Sequence, residues 1–284
     1  MKYSCDIKKV LLVGFGEIAA AVFENLIHED IDSIVIVETD HTLSKSVTSG
    51  IYSFKETAGH SLDYAVKRAA EVNPGIKVEL CHVDYEDKEL MVLVKQSDLI
   101  VDTADMYIEH KVVSERCAML GKPYVYGHTF SWKYYVLNMM DDENNIFEEM
   151  YRHSVYKYTR SKPITVVLSA AAAMMVEIKK IMNKEESENL NRVIAGDVKS
   201  GTVSVYGPDS DIVEDDVTIT VDSWGDVRKK TVPYNYTLQD LFTELDYENG
   251  HMVVNGEYVP RYLYNEVMFE DGDEAYLQMY VITH

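Results

Sequence analysis

Two glycines and one acid carry the first chemistry legible in this chain. An apolar run, "KKVLLVG", enters Gly14-Phe15-Gly16, and a helical pattern, "IAAAVFENLI", follows. A turn of that kind aims free backbone N–H groups and the positive end of a helix at a phosphate. Glu38 closes a second apolar run, "SIVIVE", 24 residues after Gly14. That is close to the spacing at which an acid takes the hydroxyls of a nucleotide ribose. Glu17 does not fit, because it places a carboxylate where the incoming anion would arrive. Its repulsion amounts to roughly 1 to 4 kcal/mol if it lies about 4 Å from a phosphate. With no ligand present, the same acid at a helix start is favoured by about 0.3 to 1 kcal/mol.

Other residues offer weaker chemistry. His110, His128 and Asp105 could form a metal trio, although nine histidines are scattered along the chain. Cys5, Cys81 and Cys117 are far apart and form no CxxC pair. That excludes a four-thiolate zinc site and argues against a disulfide framework. Cys117 reads as a small buried apolar residue. The stretch "YRHSVYKYTR", Tyr151 to Arg160, is Tyr-rich and basic within an acidic protein. It suits either a docking surface, where Tyr and Arg are enriched, or a crossover segment packed on a sheet.

The elements that must position these residues alternate. After the first two strands come a helical pattern ending near Val72 and the stop Asn73-Pro74-Gly75. "IKVELCHV" reads as a third strand and "DLIVDTAD" as a fourth; a helix through Cys117 closes at Gly121, and "KPYVYG" is a fifth strand. Strands separated by helical patterns predict right-handed crossovers and a parallel, doubly wound α/β sheet. "SAAAAMMVEIKKIM" predicts a long core helix from Ser169 to Met182. The stretch 206–216, "YGPDSDIVEDD", is Gly-, Pro- and acid-rich and reads as a linker between domains at 1–205 and 217–284. Beyond it, "VTITV" and "KKTV" read as strands, and "TLQDLFTEL" as a short helix with a Thr-x-x-Asp cap. An Asn-Gly turn in "HMVVNGEYV" and a final strand in "DGDEAYLQMYVI" complete a small β-grasp domain.

Composition bounds the function. At 284 residues the chain is long enough for about two domains, and 46% hydrophobic residues suffice for an ordinary core. A net charge of −21 argues against nucleic acid, whose binding depends on Lys and Arg neutralising phosphates. The longest apolar run, Val166 to Val176, is shorter than the roughly 20 residues a membrane span needs. "MKYSCDIKKV" carries no signal-peptide apolar region, so the expectation is a cytoplasmic protein away from membranes.

Taken in order, the Gly14-Phe15-Gly16 turn, "IVIVETD", "AAEVNPGIKVE", "DLIVDTAD", "CAMLGKPYVYG" and the "VEIKK" helix resemble the ThiF/MoeB/HesA family, relatives of ubiquitin-activating enzymes. "VVNGEYVPR" and "EDGDEAYLQMYVI" resemble ThiS, the sulfur carrier of thiamine biosynthesis. The resemblance implies a Rossmann-like activating-enzyme domain fused to a ubiquitin-like β-grasp domain, and a homodimer. It also implies a sulfur-transfer protein partner of the ThiF/ThiS type, and ATP with magnesium as the cofactor. Gly14 and Gly16 would then face the phosphates, Glu38 the ribose, and Asp105 the magnesium, with Asp102 completing the family's Asp-x-x-Asp.

The departures from the family pattern are as informative. Ser46 and Ser49 stand where the family has its Asn-x-x-Arg, and Ser61 where it has a phosphate-binding Lys; Lys55 and Lys67 are out of register. Glu17 and Ala19 replace loop glycines, and Met106 and His110 replace an Asn and an Arg after the magnesium aspartate. The zinc CxxC pairs are absent, so no zinc is expected, and no cysteine follows Trp132 where the sulfur-handling thiol usually sits. ThiS ends in Gly-Gly; this chain ends Val281-Ile282-Thr283-His284, so no thiocarboxylate is expected there. Carboxylate activation by ATP works by neutralising charge on the phosphates. Each missing electrostatic contact of that kind costs on the order of 10²- to 10³-fold in rate. The leading expectation is a non-catalytic docking or regulatory protein. Two alternatives stay open: a divergent adenylyltransferase completed by a partner subunit, and a nucleotide or dinucleotide binder without adenylation.

Overall fold

A computed structural model of the chain describes residues 6–38, 61–83, 88–104, 107–130, 132–140, 163–207, 216–223, 225–233, 236–246, 250–261, 264, 267, 269 and 272–278. The chain divides into two compact units, each carrying one sheet.

The first unit begins with β1 (Lys9–Val13), α1 (Glu17–Leu26), β2 (Ser33–Glu38), α2 (Ser61–Val72), β3 (Lys77–His82), α3 (Lys88–Gln96), β4 (Leu99–Asp102), α4 (Tyr107–Leu120) and β5 (Tyr124–Phe130). β1 pairs in parallel with both β2 and β4, β2 with β3, and β4 with β5. This is the parallel alternation the sequence predicts. The apolar runs of β1, β2 and β4 are buried on both faces, as parallel strands between helices must be, while β3 at the sheet edge is largely exposed. Val10, Leu12, Ile34, Ile36, Leu99 and Val101 turn to one face, in a core shared with α1 and α2. Leu11, Val35 and Ile100 are buried as well, and α3 packs against α4 and β1.

Three further strands were not anticipated: β6 (Lys133–Met139), β7 (Arg192–Asp197) and β8 (Thr202–Tyr206), each antiparallel to its predecessor. They extend the sheet to the order β3-β2-β1-β4-β5-β6-β7-β8. β5 to β6 and β7 to β8 are joined by short connections, so no helical pattern separates those antiparallel pairs. Between β6 and β7 runs α5 (Ile164–Met182), which begins at Ile164 rather than at Ser169, with Pro163 at its N-cap position. Val166, Ala170, Met174 and Ile178 press one side of α5 into the core, against α1, β5 and β6. Gly127 in β5 makes room for it, since a Cβ there would lie 2.1 Å from Met174 Sδ.

The second unit holds β9 (Val217–Ser223), β10 (Asp226–Val232), α6 (Leu238–Glu244), β11 (His251–Val254), β12 (Glu257–Tyr258) and β13 (Glu274–Gln278). Its sheet runs β10-β9-β13-β11-β12, with β13 parallel to β9 and the other pairs antiparallel. Thr237 caps α6: its Oγ1 accepts from Asp240 N at 3.0 Å, and Asp240 Oδ2 accepts from Thr237 N at 2.8 Å. Asn255 and Gly256 turn the β11–β12 hairpin with φ of 52° and 83°, as a two-residue type I′ turn requires. Ile219, Leu241, Phe242, Met252 and Leu277 form a core separate from that of the first unit.

Candidate functional site

The chain leaves the sheet at Gly14. Its φ is +75°, and a Cβ there would meet Ala104 Cα at 2.8 Å and Ala104 N at 2.9 Å. The same junction is tied by Gly14 N donating to Val37 O and Thr103 N donating to Val13 O, both at 2.9 Å. Gly14 is therefore demanded by the protein's own strand ends, whatever the loop binds. Gly16 is different: φ is −84°, it caps α1 without a side-chain hydrogen bond, and among the described residues no atom lies within 4 Å of where its Cβ would be. Glu17, half-buried, is the first residue of α1 and contributes the acid of its first turn.

Glu38 ends β2, one residue past the carbonyl that Gly14 grips. It is 3% exposed, and its Oε1 meets no hydrogen-bond donor among the described residues. Burial pushes its carboxyl above the usual range, while the neighbouring His82 on β3 opposes that shift. A buried acceptor left without a donor costs about 1 to 3 kcal/mol, so this oxygen is primed for a hydroxyl.

Asp102 ends β4 in a fully buried cluster. Its Oδ1 accepts from Ala104 N at 3.0 Å and, with the proton on Nδ1, from His110 at 3.0 Å; its Oδ2 accepts from Tyr124 OH at 2.8 Å. His110 stands edge-on to Tyr126, 4.5 Å between ring centroids. Burial first, and then the Asp102 carboxylate, push the Tyr124 hydroxyl well above its ordinary range, and the same two causes act on the Cys117 thiol. Three protein donors thus occupy Asp102, which acts as an internal anchor between β4, α4 and β5. Asp105, expected to hold magnesium, lies outside the described residues, so the geometry of the His110, His128 and Asp105 trio is not described; His110 Nδ1 is already committed to Asp102. No spacing rule links an Asp, a His eight positions on and a Tyr at the next strand's start, so the sequence reading missed this cluster.

Two described cations, Lys67 and Arg68, lie on α2. Ser46, Ser49 and Lys55 lie outside the described residues, Ser61 opens α2, and Lys67 on α2 is exposed. Arg68 forks onto Glu24 of α1, its Nη2 2.6 Å and its Nε 3.1 Å from Glu24 Oε1. That pair braces α1 against α2. In the "VEIKK" helix, Glu177 is fully buried and accepts from Asn138 at 2.8 Å, Asn189 at 2.9 Å, Lys180 at 2.8 Å and from Ser187. Burial pushes its carboxyl up, but these four donors outweigh it and hold it below the usual range. Glu177 fastens α5 to β6 and the segment before β7, a role its helical spacing did not reveal. The Tyr151–Arg160 stretch lies outside the described residues, and no described helix is long and apolar enough to cross a membrane.

Comparison with known proteins agrees with this architecture. Residues 6–209 match the ThiF family. The chain is 25% identical over 124 residues to the sulfur carrier protein adenylyltransferase of Thermus thermophilus, covering 43% of this chain and 46% of that protein. It is 26% identical over 125 residues to the adenylyltransferase and sulfurtransferase MOCS3 of Dictyostelium discoideum, covering 44% and 29%. The matched stretch therefore spans less than half the length of these relatives. Among solved structures, Escherichia coli MccB with ATP superposes with a TM-score of 0.55 at 16% identity, over 72% of this chain and 65% of that one. PaaA superposes with a TM-score of 0.56 at 14% identity, over 70% and 64%. At such identities the superpositions speak for the fold alone.

Proposed function

Because the chain belongs to the ThiF family, we propose that it acts in sulfur-carrier chemistry of the thiamine or molybdopterin type as a docking or regulatory protein, with its adenylation site degenerate. The observation that carries this reading is Glu17 as the first residue of α1. It sets a carboxylate at the helix end that a phosphate would need. Of the two cations on α2, Arg68 is held by Glu24 and Lys67 faces solvent. The residues fit a nucleotide unevenly. Glu38 Oε1, buried and without a described donor, suits a ribose hydroxyl. The loop at Gly14 and Gly16, with Glu17 beside it, does not suit a triphosphate, and we derive no phosphate-transfer step. Asp105 remains the proposed magnesium residue should ATP enter.

The second unit, in this reading, is a ThiS-like β-grasp module of residues 217–284, joined through 206–216 to an activating-enzyme domain of residues 1–205. Its support is the strand order β10-β9-β13-β11-β12, with α6 between the two hairpins. The protein forms a homodimer and meets a sulfur-transfer protein of the ThiF/ThiS type. Calorimetric titration with magnesium-ATP tests the site. The native chain should give no heat and Glu17→Gly weak binding; micromolar binding by the native chain overturns the proposal. The retained Glu38 favours a second reading, a divergent adenylyltransferase completed by a partner subunit. That reading requires pyrophosphate exchange that appears only when the partner is added.

A further inference from the structure

Among the described residues four strands stand at the sheet edges: β3 and β8 in the first unit, β10 and β12 in the second. An edge strand presents a row of N–H and C=O groups ready to pair with another chain, and proteins guard such rows with charge or brevity. Three of these edges are guarded. β3 carries exposed Lys77 and Glu79, β10 carries exposed Asp226, Arg228 and Lys229, and β12 is two residues long. β8 has neither guard. Its five residues, Thr202 to Tyr206, are uncharged, contain no Pro and include three β-branched side chains and a Tyr, all favourable in strands.

The core face of the sheet also runs out at β8. Val136, Ile194 and Val205 lie side by side on β6, β7 and β8, and their exposure rises from 0% to 8% to 44%. In the neighbouring row the Tyr134 ring covers Gly196, and Val203 beyond it is 61% exposed. Positive charge gathers at the end of β8 where the chain turns in from β7. Lys199 is exposed in that turn, and Lys133 is exposed in the row Lys133, Asp197 and Thr202. Asp197 is committed to the turn, its Oδ1 accepting from Lys199 N at 2.8 Å and Ser200 N at 3.1 Å. Neither lysine ammonium forms an ion pair among the described residues. Exposed Trp132 joins the same end, its carbonyl accepting from Val198 N at 2.8 Å.

We propose that β8 is a docking edge, to which a partner protein adds an extended, uncharged segment as a further strand, with an acidic residue at the end beside Lys133 and Lys199. The inference takes from the docking reading only that a partner exists, and adds the segment which that partner presents. Main-chain pairing along the open edge supplies the affinity. Apolar residues two apart in the segment continue the rows that stop at Val203 and Val205, since alternate side chains of a strand share a face. In a chain of net charge −21, two lysines without a carboxylate partner favour an acidic end over a basic one.

Fluorescence anisotropy of the full chain with a labelled, end-blocked peptide, Glu-Thr-Val-Thr-Val-Thr-Glu, tests this. The peptide should bind saturably and slow amide hydrogen exchange in Thr202–Tyr206. Val203→Lys and Val205→Lys, which install the guard that β8 lacks, should each weaken binding at least about tenfold. Val227→Lys, on guarded β10, should leave binding unchanged. The same peptide with Lys at both ends should bind more weakly to the native chain, and Lys199→Glu should reverse that preference. Circular dichroism and melting should not move in any variant, because the substituted side chains are exposed. Two further peptides, N-methylated at alternate residues in either phase, separate strand pairing from apolar adsorption. One phase should bind at least about tenfold more weakly than the other, because only one set of amides faces β8. Equal binding by both phases, or no exchange protection of Thr202–Tyr206, overturns strand addition. No saturable binding up to about 1 mM peptide overturns the whole proposal, while the magnesium-ATP titration decides the docking reading separately. Equal binding of the Glu-ended and Lys-ended peptides overturns the acidic end. Self-association of the chain that Val205→Lys abolishes gives the edge to a second copy and overturns a separate partner.

Discussion

At the residue scale, two glycines of one loop have different reasons to exist. Gly14 combines a positive φ with a backbone neighbour at 2.8 Å, whereas Gly16 shows neither constraint among the described residues. Gly14→Ala should therefore cost about 2 kcal/mol or more in stability, and Gly16→Ala less than about 1 kcal/mol; urea denaturation of the two variants checks the contrast. The two buried glutamates should respond to pH in opposite directions. Glu38 has its folded carboxyl raised by burial, so the native state holds the proton more tightly than the unfolded chain. Its ionisation then costs stability as pH rises from the unfolded carboxylate range through the folded one, and Glu38→Gln should stabilise the protein at pH 7 but not at pH 4. Glu177 is lowered, so its contribution is complete above the unfolded carboxylate range and is lost as pH falls through the folded one. Glu177→Gln should cost roughly 2 kcal/mol at pH 7, fading in acid. Denaturation midpoints of both variants across that range decide the signs.

At the element scale, helices and sheet are fitted to each other at particular points. Met174 of α5 occupies the space above Gly127 of β5 that a side chain would take. Gly127→Ala should destabilise the native chain by about 1 to 3 kcal/mol through overpacking. It should cost clearly less in a Met174→Ala background, which makes room. A double-mutant cycle measures this, and equal costs in both backgrounds would remove Met174 as the cause. In the second unit, the Thr237–Asp240 capping box satisfies the start of α6. Thr237→Ala should lose about 1 kcal/mol there, read by thermal unfolding.

At the scale of the whole molecule, charge dominates. With −21 net charges, self-repulsion opposes every compact form of this chain and every meeting of two copies. Screening shortens that repulsion to about 8 Å at physiological ionic strength, from roughly 30 Å at 0.01 M. Raising salt from about 0.01 M to 0.15 M should therefore raise the melting temperature by a few degrees and tighten self-association. Calorimetry and sedimentation at the two salt levels report the two effects; a melting temperature that falls with salt would mean that specific ion pairs outweigh the net charge.

The sequence by itself determined the elements whose apolar runs are buried on both faces. β1, β2, β4 and β5 were legible because parallel strands need continuous hydrophobic stretches and helical separators, β3 at the largely exposed edge because it follows the Asn73-Pro74-Gly75 helix stop, and α6 because its cap is a local hydrogen-bond pattern. It also placed Glu38 at a strand end and Glu17 at a helix start, since both positions follow from short-range spacing. Only the tertiary structure decided what those groups meet. Strands β6, β7 and β8 are set by antiparallel pairing across a sheet edge, which leaves little trace in local composition. The Asp102, His110 and Tyr124 cluster joins three elements, and the donors around Glu177 come from α5, β6 and the segment before β7. Gly14 looks like a ligand glycine in sequence, yet its conformation is demanded by Ala104, ninety residues further along. Local pattern records which face of an element is buried; which atoms lie against that face is a property of contacts between distant segments, and those are fixed only when the chain closes on itself.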